Sequence, residues 1–380
     1  MRLGDTSTAP MVWYLLTSEN PATEYVWSTF ILASSRKQPE PGTMIMIRTP
    51  KLYSPTINLS PYMSIGIIAD RLEVMQQKES TSYRWSDYIK DVAPSSSSVL
   101  RRRCHKEDWE APDRDTITRD CRTKLGEWCF QVSDLCKFQR ETVATAMSYL
   151  DRFMGTSSPR ARRAMHDKKE FQLVAVTSIY VAVKLFETLA MNAAHLVEIC
   201  CGCYTQEDIF EMEQEILKSL SWRLNGPSTR AYVNHVLALL ELSTCGFDET
   251  VLMPLFDFSA FQADIAVLDY DLSTHNPSTL AVAAIMNSME GIERRLFPVS
   301  SRIQFFSLVA EVVGVSPLSS QVNAARARLL ELFSEHSGYE LPHIAKVTPV
   351  TGSEVHPSFN RRELHDNPSL CTMCIQVVGI

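Results

Sequence analysis

The chain has 380 residues, of which 45% are hydrophobic, and its formal net charge is −7. This length supports two or three globular domains. The acidic balance excludes an overall basic field that would attract nucleic acid or an anionic membrane. Ten cysteines are too few for a disulfide scaffold of this size, so they indicate a reducing, intracellular compartment.

The N-terminal part of the chain shows no sustained periodicity. Residues 1–70 are rich in Pro, Ser and Thr, and we predict that they are disordered. Their apolar clusters at residues 11–16 and 25–33 are too short to cross a bilayer, and neither resembles a signal peptide.

Residues 71–119 are predicted to hold an N-terminal helix and a linker. Apolar residues return between Arg71 and Ile89 in a polar background, which is typical of one amphipathic helix. The basic run at residues 100–106 that follows is interpreted as a solvated linker, with nuclear import or phosphate binding through Arg101, Arg102 and Arg103 as the alternative.

Residues 120–225 contain five helical patterns in succession. The third, Phe171 to Glu187, is apolar on every side of a 3.6-residue wheel, as expected for a helix buried all round. Its apolar stretch of about 22 Å is shorter than the roughly 30 Å of a bilayer core. Other helices of the same chain must therefore surround it. Asp167, with Glu170 three residues later, predicts a start that resembles a capping box.

A second set of five helical patterns occupies residues 226–335. Its third helix begins with Asn276 and Pro277, a capping residue followed by proline at the first helical position. The same helix order in both sets predicts an internal repeat. The periodicity is lost after this, so residues 336–380 are predicted to be a flexible tail.

Four charged residues do not fit the amphipathic patterns. Glu213 falls inside the apolar stripe of the fifth helix, and Lys184 ends the buried third helix. Because an unpaired buried charge costs several kcal/mol, we predict that these two residues form an ion pair. Arg122 and Asp151 lie at the edges of the first two apolar faces and are predicted to form a structural ion pair.

Several segments of the sequence resemble the cyclin family of the cell-cycle type. Residues 125–154, LGEWCFQVSDLCKFQRETVATAMSYLDRFM, resemble the first two helices of a cyclin box, and FQLVAVTSIYVAVKLFE resembles the third. FEMEQEILKSLSWRL, residues 210–224, is similar to the fifth helix. The resemblance extends more weakly over residues 226–335.

The resemblance implies an all-α fold of two tandem five-helix cyclin-like domains, a cyclin box at 120–225 and a C-terminal cyclin domain at 226–335. It also implies a nuclear or cytoplasmic regulatory subunit, not an enzyme, that binds and activates a cyclin-dependent serine/threonine protein kinase in cell-cycle progression. No cofactor, metal or membrane is implied. The kinase-binding positions that carry over are Lys184, Leu185, Phe186, Glu187, Glu213 and Trp222.

The resemblance also locates a substrate-docking patch for protein substrates at Arg122, Leu125 and Trp128. Many cell-cycle cyclins carry the motif MRAIL there, whereas this chain has CRTKL. Lys124 replaces an apolar residue, and this disfavours docking of Arg-x-Leu substrates.

Three other interpretations of the sequence are possible. Cys200, Cys201 and Cys203 with His195 suggest a metal site, but their spacing is not the paired CxxC of zinc modules, so buried thiols are favoured. Arg326 to Leu329 matches an R-x-x-L degradation motif inside a predicted helix. The alternative function is a cyclin-fold transcription factor of the TFIIB type binding DNA, for which the expected basic repeats and zinc ribbon are not seen.

Overall fold

A computed structural model describes residues 13–15, 28–30, 64–89, 116–189, 191–243 and 249–336. The predictions for residues 100–106 and for the tail beyond 336 lie outside these ranges, as does most of residues 1–70. Two three-residue strands, Trp13–Leu15 and Ser28–Phe30, pair antiparallel with Trp13 opposite Phe30. All other regular elements in the described ranges are helices, so the all-α prediction is confirmed.

The described helices follow the predicted order, with two short additional helices, Pro159–Ala164 and Tyr270–Ser273, that were not predicted. Those of the first half are α1 (Ile65–Thr81), α2 (Arg119–Cys136), α3 (Arg140–Met154), α4 (Pro159–Ala164), α5 (Lys168–Phe186), α6 (Ala193–Ile199) and α7 (Gln206–Ser219). Those of the second half are α8 (Thr229–Ser243), α9 (Glu249–Leu268), α10 (Tyr270–Ser273), α11 (Pro277–Glu290), α12 (Val299–Val313) and α13 (Ser320–His336). This order is compatible with two tandem sets of helices.

The chain forms two compact units. Of the described residues, the N-terminal unit contains Met75–Ser228 together with Asp264–Asn276, and the C-terminal unit contains Thr229–Ala263, residues 277–336 and those up to Val74. Residues 264–276 therefore pack in the N-terminal unit, although the sequence placed them in the domain at 226–335. Ionic contacts explain this placement, because Arg140 Nε donates to Asp264 Oδ2 at 2.8 Å and Arg119 Nη1 to Asp271 Oδ1 at 2.6 Å.

Helix α5 is the centre of the N-terminal unit. Its residues Phe171 to Val183 are all buried, and α2, α3, α4, α6 and α7 pack around it. The carboxylate of Asp167 accepts the backbone N–H groups of Lys169 and Glu170 at 2.9 and 3.1 Å, which satisfies two otherwise unpaired donors at the helix start. The Glu170 side chain instead binds Arg160 Nε at 2.6 Å, so the capping box is incomplete.

The N-terminal helix differs from its prediction. It was expected from Arg71 to Ile89, but α1 begins at Ile65 and ends at Thr81. Residues 84–88 have no regular structure, because the backbone N–H groups of Tyr88 and Ile89 donate to the Tyr270 hydroxyl at 3.1 and 2.9 Å and not to a helical carbonyl. A tertiary contact thus overrides the apolar periodicity.

The C-terminal unit is built on α11, which packs against α8 and α13. A buried polar network joins α9 to α11, where Gln262 Nε2 donates to Ser288 Oγ at 3.1 Å and Asn287 Nδ2 donates to Gln262 Oε1 at 2.9 Å. Within α9, Val251–Leu268 is long and apolar enough to cross a bilayer, but more than half of it is buried in the protein, as in the core helix of a globular fold.

Arg122 and Asp151 form a bidentate pair deep in the N-terminal unit. Arg122 Nε and Nη2 donate to the two Asp151 oxygens at 2.8 and 2.7 Å, and both side chains are almost fully buried. Arg122 Nη1 also donates to the Val267 carbonyl at 2.9 Å, and the Tyr88 hydroxyl donates to Asp151 Oδ1 at 2.8 Å. The pair therefore fixes α2, α3, the end of α9 and the segment that carries Tyr88 in one arrangement.

Substitution of Arg122 by Met should destabilise the protein by about 3 to 5 kcal/mol, because it leaves the Asp151 carboxylate buried without its cation. Urea unfolding at pH 7 measures this change. The double variant Arg122→Met, Asp151→Leu should lose less stability than the sum of its single variants, since neither charge then remains unpaired. Additive losses would contradict the assignment of a coupled pair.

Candidate functional site

Lys184 and Glu213 form an ion pair at the surface of the N-terminal unit. Lys184 lies in the last turn of α5, Glu213 lies in the middle of α7, and Nζ is 2.5 Å from Glu213 Oε1. The Lys184 side chain is 43% exposed, whereas that of Glu213 is 13% exposed. The Nζ atom also lies 4.9 Å from the centre of the Tyr180 ring. The ammonium group has three N–H donors, so donors remain for another molecule.

This pair contributes little to folding. Exposed ion pairs contribute at most about 1 kcal/mol because water screens the charges. The pair therefore contrasts with Arg122 and Asp151, which are sealed in the core. An exposed ammonium held in one place by a mostly buried carboxylate is better suited to recognition than to stability.

Large apolar side chains follow Lys184 in the chain where α5 ends. Leu185 and Phe186 follow Lys184 directly, and both are about half exposed. Leu189, two residues beyond the helix cap, is exposed as well. Exposed apolar residues next to one another are typical of an interaction surface.

Phe210 is a part of this surface that the sequence did not identify as a site residue. It precedes Glu213 by three residues in α7, so both side chains lie on the same face of the helix. Its ring is exposed. The spacing of Phe210 from Glu213 was the available signal, but whether a phenylalanine at that position is covered depends on neighbouring elements.

Trp222 is presented by an unusual turn after α7. Ser221 and Trp222 both have left-handed backbone conformations, with φ of 52° and 60°. The N–H of Trp222 donates to the Leu217 carbonyl at 3.0 Å, which closes the helix. A bulky residue rarely adopts this conformation, and here it leaves the indole 71% exposed.

Glu187 lies near this surface but has an internal partner. Its Oε1 accepts the backbone N–H of Gln139 at 2.8 Å and the hydroxyl of Thr142 at 2.5 Å. Gln139 is the N-cap of α3 and makes no capping hydrogen bond with its own side chain. The Glu187 carboxylate thus caps α3 from another helix, a role that the sequence did not reveal.

The structure buries the predicted substrate-docking patch. Arg122, Leu125 and Trp128 are each almost completely inaccessible, so this face offers no exposed apolar patch to a peptide. Lys124 is exposed and pairs with Asp120 at 2.8 Å one turn earlier. The apolar stripe of α2 faces the core because α3, α5 and α10 pack against this helix.

The other candidates do not form sites. Among the described residues no group of three or more His, Cys, Asp or Glu side chains is placed to bind a metal ion. Cys200 is buried, Cys203 is half-buried and Cys201 is exposed. In the R-x-x-L segment Arg326 donates to Asn287 Oδ1 at 3.0 Å, and Leu329 is buried in helix α13, so the motif is not available as an extended peptide.

Comparisons with known proteins point to one family. Residues 95–225 match the family model for the cyclin N-terminal domain. The G2/mitotic-specific cyclin C13-1 of Daucus carota is 26% identical over 247 residues, which cover 64% of this chain and 62% of the relative. The Cyclin-O protein B of Xenopus laevis is 27% identical over 215 residues, covering 54% of this chain and 56% of the relative.

Among solved structures, a viral cyclin from Herpesvirus saimiri is similar with a TM-score of 0.46 and 16% identity, covering 58% of this chain and 89% of that one. The first curated relatives are covered over 39% to 62% of their own length. The chain therefore spans about two fifths to three fifths of these relatives.

Replacement of Glu187 by Ala should lower the free energy of unfolding by about 1 to 2 kcal/mol, since α3 loses its cap. Glu187→Gln should lose less, because an amide oxygen still accepts hydrogen bonds. Glu198, an exposed residue of α6, is the matched control, and its Ala variant should stay within about 0.5 kcal/mol of the parent. Equal stability of the Glu187→Ala and Glu198→Ala proteins would show that the cap is unimportant.

The capping box of α7 predicts a pH-dependent contribution to stability. Asp208 Oδ2 accepts the backbone N–H and the hydroxyl of Thr205, each at 2.8 Å. The backbone hydrogen bond, followed by the hydroxyl, lowers the pKa of Asp208 in the folded state. A carboxyl with a lowered folded pKa stabilises the fold above its unfolded pKa of about 3.9, and this contribution is lost as the pH falls through the folded pKa.

Asp208→Ala should therefore cost about 1 kcal/mol at pH 7. The difference from the parent should shrink below about pH 4, because the parent carboxyl becomes protonated. Urea midpoints of both proteins at pH 7 and pH 3 measure this. If the urea midpoints of the two proteins differed equally at pH 7 and at pH 3, the ionised form of Asp208 would not be the cap.

Proposed function

We propose, from the premise that this chain belongs to the cyclin family, that it is a regulatory subunit that binds and activates a cyclin-dependent serine/threonine protein kinase. Cyclin-family proteins are regulatory subunits and not enzymes themselves, and a cyclin-type regulatory role follows for this chain. The proposal also includes the kinase partnership, the control of cell-cycle progression and a nuclear or cytoplasmic location.

The observation that carries the proposal is the exposed Lys184–Glu213 pair within an apolar rim. Interfaces between proteins concentrate their binding energy in aromatic anchors and desolvated polar groups near the centre. Phe186 and Trp222 supply exposed aromatic rings, and Lys184 supplies spare N–H donors. Exposed aromatic rings and free N–H donors, the groups that dominate protein interfaces, thus occur together on the N-terminal unit.

The surface can hold a partner segment through two kinds of contact. Lys184 can donate to main-chain carbonyls where a partner helix or loop ends, since such carbonyls lack internal donors. Apolar side chains on both sides would exclude water, and this strengthens the charged hydrogen bonds. Binding would therefore combine directional hydrogen bonds with the burial of apolar surface.

Activation follows if the partner segment is the mobile regulatory helix of the kinase. A kinase is active when a glutamate of this helix pairs with the lysine that binds the ATP phosphates. A surface that binds the helix in this position shifts the kinase population towards the active state, in proportion to the difference in affinity for the two states. The chain would then act without any catalytic residue of its own.

The names of the relatives support a role in the cell cycle. The Daucus carota relative is a G2/mitotic-specific cyclin, and a Gallus gallus relative that is 27% identical over 169 residues is a G1/S-specific cyclin. These names refer to different phases. We therefore propose cell-cycle control without assigning a phase.

The double variant Lys184→Ala, Glu213→Ala should bind its kinase at least about tenfold more weakly, a loss of about 1.4 kcal/mol or more. The full chain is first tested against a panel of purified cyclin-dependent kinases by biolayer interferometry. The double variant is then compared for affinity and for stimulation of histone phosphorylation with the kinase that binds. Thermal unfolding of both proteins should be similar, because the pair contributes little to stability.

The matched control is Glu293→Ala, Arg295→Ala, which removes another exposed acid–base pair, 2.7 Å apart, from the C-terminal unit. This control should retain full binding and activation. Full activation by the Lys184→Ala, Glu213→Ala variant would overturn the assigned site. Failure of the unmodified chain to bind any kinase of the panel would overturn the proposed partner.

A further inference from the structure

Arg152 of α3 is a buried cation without an anion. The residue is 6% exposed, and its Nη1 is buried and has no hydrogen-bond acceptor. No ion pair to Arg152 is formed by the residues that the structure describes. Its Cζ lies 4.5 Å from the centre of the Tyr83 ring, which offsets part of the cost of burying the charge. A buried charge is normally paired, so an anion is missing beside Arg152 within the described part of the chain.

Three further contacts connect the surroundings of Arg152 with Lys78 and with the turn at residues 223–226, which carries Arg223. The turn at residues 223–226 meets the Tyr149 hydroxyl, which donates to the Leu224 carbonyl at 2.6 Å. The Tyr83 ring lies against Gly226 so closely that an added Cβ there would be 2.6 Å from Tyr83 Cδ1. Lys78 Nζ donates to the Asn225 carbonyl at 3.2 Å.

Tyr83 and the turn at residues 223–226 bring these cationic groups to one part of the N-terminal unit. Tyr83 touches both the Arg152 guanidinium and the turn that carries Arg223. Arg223 is exposed and, within the described ranges, forms no ion pair. Burial is the main cause that lowers the pKa of Arg152; Tyr83 and Tyr149 act in the opposite direction, and the charge of Arg223 lowers it further. Two guanidinium groups that repel each other are stabilised together by an anion of more than one negative charge.

We infer that Arg152, Arg223 and Lys78 form a binding site for a phosphoryl group carried on a serine or threonine of a partner peptide. A phosphorylated side chain carries close to two negative charges and three acceptor oxygens, and arginine binds it through paired hydrogen bonds. A carboxylate carries only one charge, so it balances this cluster less well. The exposed side chains of Arg223 and Asn225 leave the site open to a peptide from solution.

This inference does not depend on the kinase partnership, because the site is tested on the full chain alone. Isothermal titration uses three probes: inorganic phosphate, a five-residue peptide with a central phosphothreonine, and the same peptide with threonine. The phosphopeptide should bind at least about tenfold more tightly than the threonine peptide, since charge-assisted hydrogen bonds supply the difference.

Arg223→Ala and Lys78→Ala should each weaken phosphopeptide binding about fivefold or more, and both residues lie near the surface, so the fold should be retained. Arg163→Ala is the matched control, because Arg163 is an exposed arginine of the same unit and forms no ion pair among the described residues. Its affinity should equal that of the parent. Phosphate should also raise the melting temperature of the parent more than sodium chloride of equal ionic strength does, and this excess should disappear in Arg223→Ala.

Three results would overturn the inference. Equal binding of the two peptides would show that the phosphoryl group is not recognised, and equal weakening by Arg163→Ala would show that the attraction is non-specific. Binding of inorganic phosphate without binding of the phosphopeptide would overturn the assignment to a peptide partner.

Discussion

Complete burial of helix α5 is the constraint on which the N-terminal unit depends. Thirteen consecutive residues, Phe171 to Val183, are buried, and five other helices pack around this one. A helix with no exposed face can present functional groups only at its ends. The last turn carries Lys184, and the residues that follow it are exposed and apolar. The same packing that builds the core therefore determines where the proposed interaction surface lies.

The two ion pairs are chemically similar but have different roles, because they differ in solvent exposure. Arg122 and Asp151 are sealed in the core with all their main partners inside the unit, so their geometry is fixed and their charges are unavailable to another molecule. Lys184 and Glu213 are similar in distance but differ in exposure. Only the second pair can form new hydrogen bonds when a partner displaces water. Arg152 represents a third situation, a buried cation whose anion is not supplied by the described residues.

Periodicity and charge placement predicted much of this structure. The helical wheel of the third predicted helix identified the buried α5. Charges inside an apolar stripe, at the edges of apolar faces or at the end of the buried helix identified the residues of both ion pairs. The caps at Asp167 and Thr205 follow from local sequence, because a capping side chain binds N–H groups only a few residues away. These features depend on residues close together in the chain.

The features that the sequence did not reveal depend on distant residues. Glu187 caps a helix that starts 47 residues earlier in the chain, at Arg140, and Tyr270 binds the backbone of Tyr88 and so ends the N-terminal helix early. The packing of residues 264–276 in the N-terminal unit likewise rests on Arg122 and Arg140. No local pattern encodes which partner a long side chain will reach.

The central claim is that the surface around Lys184 and Trp222 contacts a kinase, and site-specific photo-crosslinking tests it most directly. A benzophenone amino acid would replace Trp222, which is 71% exposed, or Leu318 of the C-terminal unit, which is 85% exposed, in the full chain bound to its kinase. We expect crosslinks from position 222 to the regulatory helix of the kinase and none from position 318. Crosslinks to the kinase from position 318 with none from position 222 would contradict the proposed surface.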